Sequence, residues 1–301
     1  RYGDDVIDCK VVRELGRGAQ AIVYRVTSEG GAYALKVASV LPVADEARAL
    51  LRVNSPQRHP NVLQARFVCS PANGDDELLF LQELIEGESL AELIASGALY
   101  ATDDAAQGDA ESVLQDRLGG MFVQLLAALA HVHACGVLHQ DVKPDNIMVD
   151  TRTWQLHLID FGIATVAGER QYDGRGRVKA QMHGGTAAFI SPLQSELMRD
   201  ARGTRDTTER RELLQLQMPT QHADIWGAAA TCLEMFSGGG RWRGERRSAD
   251  AWRDMEHSLA RLQPDVMRVA LPEALVSVIE QCFENTDAAH PGHELMAQHA
   301  A

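Results

Sequence analysis

The spacing of apolar residues changes near Ser89. Before it, residues 6 to 37 and the stretches around Val62 to Cys69 and Glu77 to Leu84 alternate apolar with polar side chains in short runs rich in Val, Ile and Tyr, broken by Gly16, Gly18, Gly30 and Gly31. Such runs predict strands joined by tight turns. Among them, Pro42 opens the amphipathic segment ADEARALLRV, which Asn54 and Pro56 close, predicting one helix. After Ser89, DRLGGMFVQLLAALAHVHACG repeats leucine and phenylalanine at three- and four-residue steps, the period of a helix. Strands with a single helix and no regular βαβ alternation imply a small antiparallel sheet. The expected fold is therefore α+β with two lobes in one domain spanning 1–301: a sheet lobe over 1–84 and a larger, mostly helical lobe over 85–301. Two stretches, 100 to 116 and 199 to 219, are polar and charged, and predict surface insertions.

A chain of 301 residues can bury a core of that size. Its formal net charge of −13 opposes broad attraction to nucleic acid or an anionic membrane, so neither is an expected partner. The most apolar stretch, Met121 to Leu138, is interrupted by Gln124, His131 and His133, which predicts a buried helix and no membrane segment. No basic region followed by an apolar run opens the chain, so no secretory signal is expected. Five cysteines without CxxC spacing (Cys9, Cys69, Cys135, Cys232, Cys282) fit ordinary thiols in a reducing, cytoplasmic setting. Lysine is scarce. Only Lys10, Lys36, Lys143 and Lys179 occur among 29 positive charges, so the retained lysines are candidates for specific work.

Gly16 and Gly18 lie between two strand-like runs, where bare backbone can approach phosphate oxygens. In AYALKV, Lys36 sits in an otherwise apolar strand, and a buried ammonium needs a carboxylate or phosphate partner. Glu46, in the helix after Pro42, is the candidate. The run HQDVKPDNIMV, followed by HLIDFG, supplies Asp141, Lys143, Asn146 and Asp160. Phosphoryl transfer to a hydroxyl needs that set: a carboxylate for the proton, a cation near the phosphate, and oxygen ligands for hard Mg²⁺.

Taken in order, these runs resemble the signature set of the protein kinase family, specifically the serine/threonine kinases of eukaryotic type. The resemblance extends from Leu15 to Cys282 and Phe283. It implies an ATP- and Mg²⁺-dependent transferase acting on protein hydroxyls. By resemblance, Lys36 contacts the α- and β-phosphates and pairs with Glu46, Asp141 orients the acceptor hydroxyl, and Lys143 steadies the γ-phosphate. Asn146 and Asp160 hold magnesium, with Phe161 packed behind. Gln82 takes the gatekeeper position, Glu83, Leu84 and Ile85 the hinge, and Val23, Ala34 and Met148 the apolar walls around adenine. GGTAAFISP resembles the segment shaping the protein-substrate site, which makes Thr186 a partner of Asp141 and Lys143. HADIWGAAATCLEMFSGG resembles the helix anchoring the large lobe, with Asp224 holding the catalytic-loop backbone.

The sequence departs from the family pattern at four places. Ala21 replaces the third glycine of the loop, Leu193 and His290 replace an ion-pairing glutamate and arginine, and Gln140 replaces the arginine before Asp141. That arginine pairs with a phosphorylated activation loop in the family, and between Asp160 and Gly185 this chain has only Thr165 and Tyr172 as hydroxyls, so activity independent of loop phosphorylation is expected. The departures leave a catalytically silent, ATP-binding interaction module as the alternative, with a kinase of small molecules a further one.

Overall fold

A computed structural model of the chain describes residues 7–18, 21–28, 30–69, 77–102, 110–166, 189–191, 221–238 and 268–287. Thr186, Leu193, His290, Tyr172 and the stretch 199–219 lie outside them. The alternating runs of the first part form one antiparallel sheet in the order β1 (Lys10–Arg17), β2 (Ala21–Ser28), β3 (Gly31–Ser39), β5 (Glu77–Glu83), β4 (Ala65–Cys69). In register, Lys36 of β3 stands opposite Val23 on one side and Phe80 on the other. The strand lysine is thus set in the middle of the sheet, and its chain must find its partners on one face.

Helix α1 (Val40–Val53) packs on that sheet. Pro42 falls in its first turn, where a missing N–H costs nothing, so the helix begins two residues before the expected start. Glu46, Ala49, Leu50 and Val53 recur at three- and four-residue steps and are buried, whereas Leu51 faces out. The far end of α1 is tied to the large lobe: Arg52 Nε donates to Cys135 O at 2.7 Å and His131 Nε2 to Val53 O at 2.8 Å.

The second part is built on helices α2 (Leu90–Ser96), α3 (Ala110–Ala134), α4 (Gln221–Ser237) and α5 (Glu273–Asp287). Helix α2 starts on a capping box. Ser89 Oγ accepts from Glu92 N while Glu92 reaches back to Ser89 N, satisfying two otherwise orphaned N–H groups. Two small sheets complete the lobe, β6 (Glu88–Ser89) with β8 (Ile147–Asp150) and β9 (Gln155–Leu158), and β7 (Val137–Leu138) with β10 (Thr165–Val166).

Helix α3 is long and apolar enough to cross a membrane by length and composition alone. Here Leu118, Met121, Phe122, Leu125, Leu129 and Val132 are buried in the domain core. Each polar residue that interrupts it is a joint. Gln124 Oε1 accepts from Asn61 Nδ2 and Leu156 N, His131 holds α1, and His133 Nε2 donates to Asp224 Oδ2 at 2.8 Å. In α4 every residue from Trp226 to Phe236 is buried, and the Trp226 ring meets Phe283 of α5 with centroids 4.4 Å apart.

The stretch 100–116, expected as a surface insertion, is largely at the surface where it is described, but its last part belongs to a core helix and is no insertion. Residues 110–116 are the opening turns of α3, and Glu111 Oε1 accepts from Ala270 N at 2.8 Å. Tyr100 is buried, its hydroxyl donates to Met235 O at 2.6 Å, and burial pushes that phenol up to about 12. Polar side chains there face partners far along the chain, which composition alone does not reveal.

Candidate active site

A cavity of about 1000 Å³ opens between the sheet and the helical part. Leu15, Gly16, Gly18, Val23, Ala34, Lys36, Glu46, Gln82, Glu83, Leu84, Ile85, Asp141, Asn146, Met148 and Asp160 all line it. Of the remaining candidates, Lys143 is bonded to Asp141, and Thr186 lies outside the described residues. Leu63, Asp145, Ile159 and Gly162 also line the cavity without a sequence signal that sets them apart from core or loop residues. A Cβ placed at Gly16 would meet no atom within 4 Å, so the β1–β2 edge leaves open space for a ligand.

Three charged side chains meet at the back. Lys36 Nζ lies 2.6 Å from Glu46 Oε1 and 3.0 Å from Asp160 Oδ1. Burial would drive the Lys36 ammonium toward its neutral form, but Asp160 and Glu46 outweigh it and raise its pKa above the ordinary lysine range. Burial likewise pushes the Glu46 carboxyl up, and the pull of Lys36 only partly offsets this. At Asp160 the balance reverses. Burial would raise its carboxyl, yet the Lys36 charge and hydrogen bond hold it below the usual range. Asp160 has φ +58, a conformation that costs about 1–3 kcal/mol in a non-glycine residue and that aims its carboxylate into the cleft. Phe161, fully buried, lies edge-on to His139 at 4.8 Å behind it.

The loop after β7 places the second group. Lys143 Nζ lies 2.6 Å from Asp141 Oδ2, and Asn146 Nδ2 donates to both Asp141 O and Asp141 Oδ2 at 2.8 Å. Pro144 opens the tight turn Pro144–Asn146 that brings Asn146 back to Asp141. Both amide hydrogens of Asn146 are thereby committed to Asp141, leaving its Oδ1 as a neutral oxygen ligand. Among the described residues no cluster of three or more His, Cys, Asp or Glu could hold a metal ion. One carboxylate and one amide oxygen suit Mg²⁺, which keeps most of its shell as water and phosphate oxygens.

Beneath the loop, Asp224 is buried to 0% side-chain exposure. Its Oδ1 accepts from Gln140 N at 2.6 Å, and its Oδ2 from His139 N at 2.9 Å and from His133. His139 Nε2 donates to Ile159 O and its Nδ1 accepts from Asp141 N, which fixes the ring's tautomer. Gly227 permits the contact, because a Cβ there would lie 2.8 Å from Val142 O. Sequence reasoning picked out Asp224 but not His133, whose only signal is a polar residue on an apolar helix.

A sequence model of the family described as protein kinase domain matches residues 9–300, and the chain belongs to that family. Its curated relatives are serine/threonine kinases of eukaryotic type. The chain is 31% identical over 169 residues to the serine/threonine-protein kinase cds1 of Schizosaccharomyces pombe, covering 52% of this chain and 33% of that protein. It is 32% identical over 165 residues to human calcium/calmodulin-dependent protein kinase type IV, covering 52% and 31%. With CBL-interacting protein kinase 22 of rice it shares 26% over 247 residues, covering 75% and 48%. The matched region thus spans between about a third and a half of these relatives' own lengths.

Proposed function

We propose that this domain transfers the γ-phosphate of Mg-ATP to serine or threonine hydroxyls of a protein substrate, without requiring phosphorylation of its own activation loop. The observation that carries the reading is the meeting of Lys36, Asp141, Asn146 and Asp160 on one cavity, although they come from three separated stretches of the chain.

In this mechanism Lys36, held by Glu46, binds the α- and β-phosphates, since a cation set between two carboxylates is rigidly placed. Gln82, Glu83, Leu84 and Ile85 line the side where the base binds, with Val23, Ala34 and Met148 as apolar walls. Asp141 accepts a hydrogen bond from the acceptor hydroxyl and takes its proton as the new O–P bond forms and the bond from the γ-phosphorus to the β–γ bridging oxygen breaks, releasing ADP. Lys143 neutralises charge on the transferring group, and Thr186 supports both. Asn146 and Asp160 would hold Mg²⁺, which when bound offsets the phosphate charge that develops in transfer. The domain is placed in an intracellular setting, where buried thiols such as Cys232 and Cys282 would stay reduced.

Independence from loop phosphorylation is supported by Thr165, one of the two hydroxyl side chains between Asp160 and Gly185, which is buried in β10 with its hydroxyl engaged, the other being Tyr172. The test is transfer from labelled ATP by wild type and Tyr172→Phe, before and after phosphatase treatment. Equal rates support the reading. Loss of transfer on phosphatase treatment overturns the independence, and ATP binding with no transfer in any preparation overturns the kinase.

A further inference from the structure

Gln140 stands where the family pattern has an arginine, and its side chain spans two loops. Its backbone N is held by Asp224, its neighbour is Asp141, and it adopts φ +69. From there Nε2 donates to Ile163 O at 3.0 Å and to Thr165 Oγ1 at 2.8 Å. Those acceptors lie just past Asp160 and Gly162, where β10 pairs with β7 through Thr165 opposite Leu138. The amide's other end is less comfortable: Gln140 Oε1 is buried with no hydrogen-bond partner. Turning the amide over would place that oxygen against the Ile163 carbonyl, which can only accept, so that carbonyl fixes the amide's orientation.

We infer that Gln140 is a positioning residue, a neutral clamp whose amide holds the strand after Asp160 to the loop bearing Asp141 and so keeps the two carboxylates in register. The inference rests on the kinase reading for its effect on rate, but not for the clamp itself. A left-handed backbone and a buried unpartnered oxygen are unfavourable features that a merely space-filling side chain would not need. No charge is involved, so the clamp needs no phosphate to close it.

The test uses Gln140→Met, which keeps length and removes both donated bonds, with Thr165→Val, Thr165→Ser and the double variant Gln140→Met/Thr165→Val. In phosphate transfer, Gln140→Met lowers kcat roughly ten- to a hundredfold while affinity for ATP stays near wild type, as expected for misplacement without lost contacts. Thr165→Val lowers it less, the double variant falls no further than Gln140→Met, and Thr165→Ser recovers what Thr165→Val loses. Hydrogen exchange supplies a readout that does not depend on activity. Amides of residues 160–166 lose roughly tenfold in protection in Gln140→Met while those of α4 are unchanged. Multiplying effects of the two substitutions, or unchanged protection over 160–166, would overturn the clamp. A wild-type protein that transfers no phosphate would overturn the kinase reading and leave the exchange result to decide the clamp.

Discussion

Asp160 and Asp224 are both aspartates held by strong donors, yet they are built for opposite purposes. The Asp160 side chain is 48% exposed and its principal partner is the ammonium of Lys36, a compact charge that can be traded for a metal ion and phosphate. Asp224 has no exposure, and two of its three donors are backbone N–H groups that cannot leave. The same contrast divides the whole site. Lys36, Glu46, Asp160, Asp141 and Lys143 form ion pairs facing a cavity, while Asp224, His133, His139 and Gln140 form a closed network behind it. Exchangeable charge does chemistry only when a network that does not exchange fixes its position.

The strongest way to break that contrast is to truncate each carboxylate. Asp224→Ala strands two buried N–H groups and a histidine, which costs roughly 3–5 kcal/mol and abolishes transfer through loss of loop structure. Thermal denaturation shows it as a drop of several degrees or more. Asp160→Ala also abolishes transfer but lowers the melting temperature much less. Equal destabilisation by the two would erase the distinction.

A next step down is Lys36→Met, which leaves Glu46 at 3% exposure with no cation. The Glu46 carboxyl is already raised in the folded state, so the fold binds its proton more tightly than the unfolded chain does, and stability is lost as pH rises through the folded pKa. Without Lys36 that effect grows, so the variant becomes more stable on acidification from neutral pH, and Lys36→Met/Glu46→Gln removes the trend. A flat pH profile in Lys36→Met would show that Glu46 is not the buried charge the geometry describes. Gly227→Ala sharpens the other half of the contrast. Its methyl meets Val142 O, at a cost of about 1–3 kcal/mol, and it slows transfer without touching ATP.

The smallest effect belongs to His59 and His157, which burial holds below the ordinary imidazole range. The unfolded chain binds their protons more readily, so stability falls as pH drops through about 6.5. In His157→Gln, melting temperature declines less steeply across that window, and an unchanged slope would remove His157 from the account.

Much of the site is legible in the sequence because its chemistry demands rare residue types in a fixed order: Lys36 in an apolar strand, then Asp141, Lys143, Asn146 and Asp160 around two tight turns. The two-lobe fold follows from the change of apolar period at Ser89. What sequence alone misses are pairings made at long range. Glu111 is a solvent-exposed acid that also accepts from Ala270 N, and His133 looks like an interruption of α3 until it meets Asp224. Gln140 is visible as a replacement for arginine, but its amide bonds to Ile163 and Thr165 depend on a strand pairing that no local pattern announces.

The most direct test of the account is γ-phosphate transfer from labelled ATP with Mg²⁺, onto the protein itself and a generic protein substrate, by wild type and Asp141→Asn at matched nucleotide binding. Wild type is expected to transfer phosphate to serine or threonine, and transfer to fall by at least roughly a hundredfold in the variant with ATP still bound. Equal transfer by the two proteins, or ATP binding without transfer by wild type, would contradict it.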